Sequence, residues 1–145
     1  MRAADLHRLA RTLRAVALLA TENTGDDRVN AGELAVLEDI ARNPGSTIRD
    51  ITRRTGLAQS LVSRITHGMA DGGALTIRTD SGDGRRVRID LDPSTRMMIL
   101  ERASNTISAA IAATTPRLSE IERRDLEDHL VAANRLLRAG ARGNP

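Results

Sequence analysis

The chain has no cysteine, no lysine and no phenylalanine, tyrosine or tryptophan among its 145 residues. Without cysteine there is no disulfide framework, no thiolate metal site and no thiol redox switch. Without aromatic rings the core falls to 17 Leu, 10 Ile, 6 Val, 4 Met and part of the 21 Ala. Small aliphatic side chains favour close helix–helix packing over a wide sandwich. The same absence removes the rings on which most single-stranded nucleic-acid binders stack bases, which weakens an RNA-recognition or cold-shock reading. Long apolar runs are missing too: none approaches the ~20 residues that span a bilayer. Met1-Arg2-Ala3-Ala4-Asp5 lacks the apolar stretch of a secretory signal. The length fits one domain or a compact pair sharing a core. A cytoplasmic chain with no membrane partner is the expectation.

The lack of lysine colours the charge. All 22 basic residues are Arg, so nothing titrates between the imidazoles and amino terminus and the guanidiniums. A small excess of charge then throws the isoelectric point to about 11.0. The net charge of +3 is the better measure. Residues 1–45 carry six Arg against seven acids, 46–91 eight against five, and 92–145 eight against seven. The middle third holds the basic bias, a distribution that suits nucleic acid without requiring it.

Leu6, Leu9, Leu13, Val16 and Ala20 recur at three- and four-residue steps with Arg8, Arg11 and Arg14 between them, predicting an amphipathic helix broken at Gly25-Asp26-Asp27. A second helix starts near Ala31, carries Leu34, Leu37, Ile40 and Ala41 on one face and stops at Asn43-Pro44-Gly45. Thr47-Ile48-Arg49-Asp50 has the form of a capping box and opens a short helix closing at Gly56. Gln59 to about Asp71 is a further helix with Val62, Ile65 and Met69 inward, so a helix-turn-helix is expected. The period then changes. Leu75-Thr76-Ile77-Arg78 and Val87-Arg88-Ile89-Asp90-Leu91 alternate as half-buried strands do, around a charged, turn-rich loop. Asp92-Pro93 caps the next helix, which carries Met97, Leu100, Ile107 and Ile111 on one face and is expected to run to about Pro116. Ser119-Glu120-Ile121-Glu122 is a capping box for the last, with Leu126, Leu130, Ala133 and Leu137 in a stripe ending at Gly140.

This order of elements, with Gly56-Leu57 before the turn, Val62-Ser63-Arg64-Ile65 in the second helix of the motif, Gly73-Ala74-Leu75 with Arg78, Asp83-Gly84-Arg85-Arg86 and Leu91, resembles the multiple-antibiotic-resistance regulator (MarR) family. The expected fold is mainly α with a small β-hairpin wing: a winged helix-turn-helix core over 31–91, flanked by dimerisation helices over 1–30 and 92–145 in one intertwined domain. The resemblance implies a homodimeric transcription regulator, a repressor of a pseudo-palindromic operator in double-stranded DNA, released by a small-molecule effector. Three features depart from the family's pattern. Ala58 stands where a small hydroxyl residue usually caps the recognition helix, and its loss costs roughly 1 kcal/mol. Ser81-Gly82 replaces the usual Asp-Pro turn of the wing, and Ser94 or Thr95 stands where a glycine is common after the wing.

On a helix from Gln59, the residues Gln59, Ser60, Ser63, Arg64 and His67 fall opposite the apolar face. Gln59 and Arg64 suit base edges, and Ser60, Ser63 and His67 suit phosphate or base contacts. Leu61, near the boundary, is placed for a thymine methyl. Arg85 and Arg86, at the hairpin tip, suit the negative potential of a narrow minor groove. The dimer interface falls to Leu6, Leu9, Leu13, Leu126, Leu130 and Leu137. Arg11 and Arg14 are weak candidates for an anionic effector.

Each feature also has a plainer use. The polar face of the helix is then only solvated, and Arg85 and Arg86 only keep an exposed hairpin edge from pairing with another chain. His7, His67 and His129 are scattered, without a second ligand at metal spacing. No nucleophile–base pair or phosphate-cradling loop is visible, because no helix start follows Gly82-Asp83-Gly84. Neither catalysis, metal nor cofactor is expected. The alternative function is a winged-helix module that binds protein on the same surface and no DNA. Such a surface carries an apolar, aromatic-rich anchor, which this chain lacks.

Overall fold

A computed structural model describes every residue except 26, 27, 83, 85 and 142–145, and of Ala141 only the backbone. Among the described residues the elements run α1 (Ala3–Ala20), α2 (Ala31–Arg42), α3 (Ile48–Thr55), α4 (Gln59–Asp71), β1 (Leu75–Thr79), β2 (Val87–Leu91), α5 (Pro93–Ser104), α6 (Ser108–Thr114) and α7 (Glu120–Ala141). The chain divides into two packing units, Gly25–Ser104 and Met1–Thr24 with Asn105–Pro145.

In the first unit, local signals set the ends of the helices. Asn30 caps α2: its Oδ1 accepts from the Glu33 amide at 3.0 Å, and the Glu33 carboxylate accepts from the Asn30 amide at 2.8 Å. Thr47 and Asp50 make the same reciprocal pair at the start of α3, both bonds at 3.2 Å. Gly56, at φ +71°, closes α3 in the left-handed region that a side chain resists. Val36, Ile40, Ala41, Ile51, Val62, Ile65, Leu75, Ile89 and Leu91 form the core. Burying each large aliphatic contributes roughly 1.5–3 kcal/mol. Val36, fully buried, was absent from the sequence-expected face, on which Leu34 and Leu37 are only half-buried.

β1 and β2 pair antiparallel, with Leu75 opposite Leu91 and Ile77 opposite Ile89 on the inner face. Ser46 adds an isolated bridge to Ile89, whose amide donates to the Ser46 carbonyl at 2.9 Å. The loop before α3 is thereby tied to the hairpin.

Helix α5 packs with this unit. Ile99 and Leu100 lie against its core, and the Arg96 Nε donates to the Ala41 carbonyl at 2.6 Å. From sequence this stretch is expected among the terminal helices, as one helix running to about Pro116. The helix in fact stops at Ser104 and restarts as α6. Ser104-Asn105-Thr106 are residues whose side chains compete for backbone groups, and the Ser104 hydroxyl donates back to the Glu101 carbonyl at 2.7 Å. Met97, expected inward, is 63% exposed.

Asp92 starts α5. Its Oδ1 accepts from the Ser94 and Thr95 amides at 3.0 and 3.1 Å and from the Ser94 hydroxyl at 2.6 Å. Chiefly through the hydrogen bonds of Ser94 and Thr95, the carboxyl is held down from 3.8 to about 2. A carboxyl depressed in the folded state stabilises above its unfolded value and loses that contribution as pH falls through the folded value. The melting temperature is therefore expected to drop as pH is lowered from about 4 towards 2, with a shallower drop in Asp92→Asn. Identical pH profiles for the two proteins would remove Asp92 from the account.

In the second unit, α6 packs on both α1 and α7. Val16, Ala110 and Ile111 are its buried residues, with Ala20, Ile107, Leu126 and Leu130 half-buried against them. α1 ends at Ala20, before the Gly25 expected to break it. The Asn23 amide donates to the Leu18 carbonyl at 2.9 Å and the Glu22 amide to the Leu19 carbonyl at 3.1 Å. Glu22 takes the left-handed position, φ 54°, that glycine usually fills.

Candidate nucleic-acid interface

The turn from α3 into α4 is short because Gly56 reverses the chain and Leu57 anchors it on the core. Ala58 then opens α4 with no side-chain cap and no acidic residue in the first turn. Its carbonyl accepts from the Leu61 and Val62 amides, both at 3.0 Å. The amides of Gln59 and Ser60 have no acceptor further up the helix, and the first turn itself puts no carboxylate against an anion there.

α4 sorts its side chains cleanly. Val62, Ile65 and Thr66 are buried, and Leu61, Met69 and Ala70 are half-buried against the core. Gln59, Ser60, Arg64 and His67 are exposed and Ser63 is half-buried. The five expected contact residues therefore share the outer face. Leu61, expected at a thymine methyl, spends part of its surface on the core. Thr66 escaped the sequence reading. It is fully buried, and its hydroxyl donates to the Val62 and Ser63 carbonyls at 2.9 and 3.0 Å. The Nδ1 of His67 lies 2.7 Å from the Ser63 carbonyl. A carbonyl only accepts, so Nδ1 carries the hydrogen and Nε2 of the neutral ring is left as an acceptor.

The hairpin places a second set. Asp80 organises its tip: Oδ1 accepts from the Gly82 amide at 2.9 Å, Oδ2 accepts from the Arg88 Nε at 2.8 Å, and the Asp80 amide donates to the Arg86 carbonyl at 2.7 Å. The Gly82 amide first, then the Arg88 guanidinium, hold the Asp80 carboxyl below its usual range. Arg88 also donates to the Gly45 carbonyl at 3.0 Å, while the Gly45 amide donates to Asp90 at 2.6 Å. Arg86 is exposed at the loop exit. Arg85, the other half of the expected wing pair, lies outside the described residues.

The eight Arg of 46–91 are not equally available. Arg54 forks onto Asp39, at 2.8 and 2.7 Å, and also donates to Ser46. The hydrogen bond to Asp39 raises its pKa further above the ordinary guanidinium value. Arg53 pairs with Asp50 at 3.0 Å and Arg88 with Asp80 at 2.8 Å. Among the described residues Arg49, Arg64 and Arg78 pair with no carboxylate. Also among the described residues, no group of three or more His, Asp or Glu side chains is placed to hold a metal ion, and no helix is long and apolar enough to cross a membrane.

Of the expected interface leucines, Leu126 and Leu130 pack within their own unit. Leu6 and Leu137 are 57% and 74% exposed, and Leu9 is exposed as well, while Leu13 is half-buried. Arg11 and Arg14 are exposed on α1.

A short helix, a tight turn, a helix with a polar outer face and a two-stranded hairpin define a winged helix-turn-helix protein. Residues 28–86 match the model of the MarR family, and the helix-turn-helix and the hairpin fall largely within that segment. Solved structures extend the likeness of fold to nearly the whole chain. PcaV, a transcriptional regulator from Streptomyces coelicolor, is 22% identical with a TM-score of 0.63, over 99% of this chain and 100% of that one. Wild-type MarR from E. coli in its apo form is 15% identical with a TM-score of 0.66, over 92% of this chain and 97% of that one. BpsR from Bordetella bronchiseptica, whose DNA binding is regulated by 6-hydroxynicotinic acid, is 21% identical with a TM-score of 0.61, over 93% of this chain and 96% of that one. Among curated proteins none matches the chain.

Proposed function

We propose that the protein is a homodimeric, sequence-specific DNA-binding regulator of transcription, a repressor in the absence of its effector. The observation that carries this reading is the outer face of α4. It presents Gln59, Ser60, Arg64 and His67 beside an uncapped helix start. Gln and Arg are the side chains that read adenine and guanine edges in the major groove. The wing, with Arg85 and Arg86 in its sequence, supplies the minor-groove contact.

A second copy of the chain supports the reading in two ways. Ile121, Val131, Leu136 and Leu137 on α7 and Leu6 on α1 are each more than half exposed, an apolar extent that monomers rarely leave in water. Two-fold pairing also sets two recognition helices about 34–36 Å apart, one turn of DNA. For release, the BpsR likeness supports a small-molecule effector, and exposed Arg11 and Arg14 on α1 are the candidates for holding an anionic one.

Selection of bound duplexes from a random library tests the reading. A two-fold symmetric motif with half-sites about 10–10.5 base pairs apart is the expected outcome. Retention of no duplex, together with capture of a protein partner by the same face, would instead favour a winged-helix interaction module.

A further inference from the structure

A cleft of about 420 Å³ lies between the start of α3 and the root of the wing, lined in part by Arg49, Asp50, Arg53, Arg86 and Arg88. We infer that this cleft is a seat for one backbone phosphate of duplex DNA, a contact separate from those of α4 and the wing tip, with Arg49 as its principal charge. The inference rests on the DNA-binding reading above and adds a residue to it.

The charges are lopsided. Among the described residues four guanidiniums and one carboxylate line the cleft. The carboxylate of Asp50 is committed: it accepts from the Thr47 amide and hydroxyl and pairs with Arg53. Those bonds, the Thr47 hydroxyl first, hold it below the usual carboxylate range. It therefore occupies the amide end of α3 itself, so an anion entering the cleft meets the guanidiniums and not that helix end. Arg53 is fixed by Asp50, and Arg88 is fixed by Asp80 and by the Gly45 carbonyl at 3.0 Å. Both point charges are thus held in place before a ligand arrives, and little side-chain freedom remains to be lost. Arg49 is exposed and pairs with no carboxylate among the described residues.

The chemistry of the walls selects the anion. Among the described residues Ile48 and Val87 are the only apolar side chains in the lining, so an apolar acid finds little surface to bury. Arg88 lies on β2 and Arg86 just before it, at the root of the wing, so a duplex engaged by the wing brings its backbone to the same edge. A phosphate delivered this way arrives at high effective concentration, an advantage that a free anion in an open cleft lacks.

Arg49→Ala tests the assignment, because an exposed side chain that pairs with no carboxylate among the described residues is removed with the melting temperature unchanged. Affinity for the selected duplex and for a scrambled one is expected to fall by the same factor, roughly 3–10-fold at moderate salt. The slope of log K against log salt is expected to shrink by about 0.9 per subunit, and Arg49→Lys to restore it. Wild-type affinity and slope in Arg49→Ala, alongside a loss in Arg64→Ala, would overturn the seat and leave the DNA-binding reading standing. Changed discrimination among single-base variants would overturn it in favour of a base contact. At matched ionic strength, inorganic phosphate that raises the wild-type melting temperature but not that of Arg49→Ala, with DNA binding equal in both, would overturn it in favour of a free-anion site. A wild-type chain that binds no duplex at all would remove both readings together.

Discussion

Alanine at Arg64 is expected to weaken binding to the selected duplex by at least about 30-fold and to relax its preference at one symmetric pair of positions. A good bidentate contact to a base gives roughly 1–3 kcal/mol of discrimination, and a symmetric site loses it twice. At about 1.4 kcal/mol per factor of ten, about 2 kcal/mol is already 30-fold and the upper end, about 6 kcal/mol, reaches roughly 20,000-fold. The fold is not at stake, because Arg64 is exposed and pairs with no carboxylate among the described residues. The selectivity of the loss carries the meaning. Affinities measured across single-base variants of the duplex should converge at one position of each half-site. A uniform loss at every variant would move Arg64 to the phosphate backbone, where Arg49 has been placed.

Aspartate at Leu137 is expected to split the dimer and cost operator affinity about 100-fold or more. Tethering two half-site contacts in one dimer gains 10²–10⁴ in affinity without any new contact, and a monomer forfeits that gain. The side chain is 74% exposed in the single chain, so a charge there does not disturb the chain's own packing. Leu130 is a poorer choice, since it lies against Val16, Ala110 and Ile111 and aspartate there would damage the unit itself. Light scattering is expected to give twice the 15.7 kDa chain mass for the wild type and the single-chain mass for Leu137→Asp. Concentrations must be read at the peptide bond, as the chain has no aromatic ring. A wild-type monomer at tens of micromolar, or a Leu137→Asp dimer with full operator affinity, would remove α7 from the interface.

Much of the fold was legible because local chemistry and burial pointed the same way. The boxes Thr47–Asp50 and Ser119–Glu122 marked helix starts that the structure keeps. The switch to alternation marked the two strands within one residue of their observed ends. The outer face of α4 followed from its inner one, because 3.6 residues per turn leaves no freedom once Val62 and Ile65 are buried. What escaped was tertiary. The split of α5 from α6 depends on where Ile99 and Leu100 pack, which periodicity along one continuous stripe does not tell. Glu22 ends α1 in a conformation that signals a helix end from sequence only when glycine occupies it. The charges escaped most completely. Arg54 meets Asp39 across 15 residues and Arg88 meets Asp80 across eight, so a count of basic residues overstated the charge free to meet DNA. The same pairings leave Arg49, Arg64 and Arg78 without a carboxylate among the described residues, and of these Arg49 alone lines the cleft beside α3.

In the proposed complex α4 enters the major groove twice on one face of a duplex while the wings lie in the flanking minor groove. Dimethyl sulfate footprinting of the selected duplex reads both grooves at once, since it methylates guanine N7 in the major groove and adenine N3 in the minor groove. The expected result is protection of guanine N7 in two half-sites about 10–10.5 base pairs apart, with adenine N3 protected only outside them. Protection of the minor groove alone, of a single half-site, or of no base in a duplex that the protein retains would contradict the account.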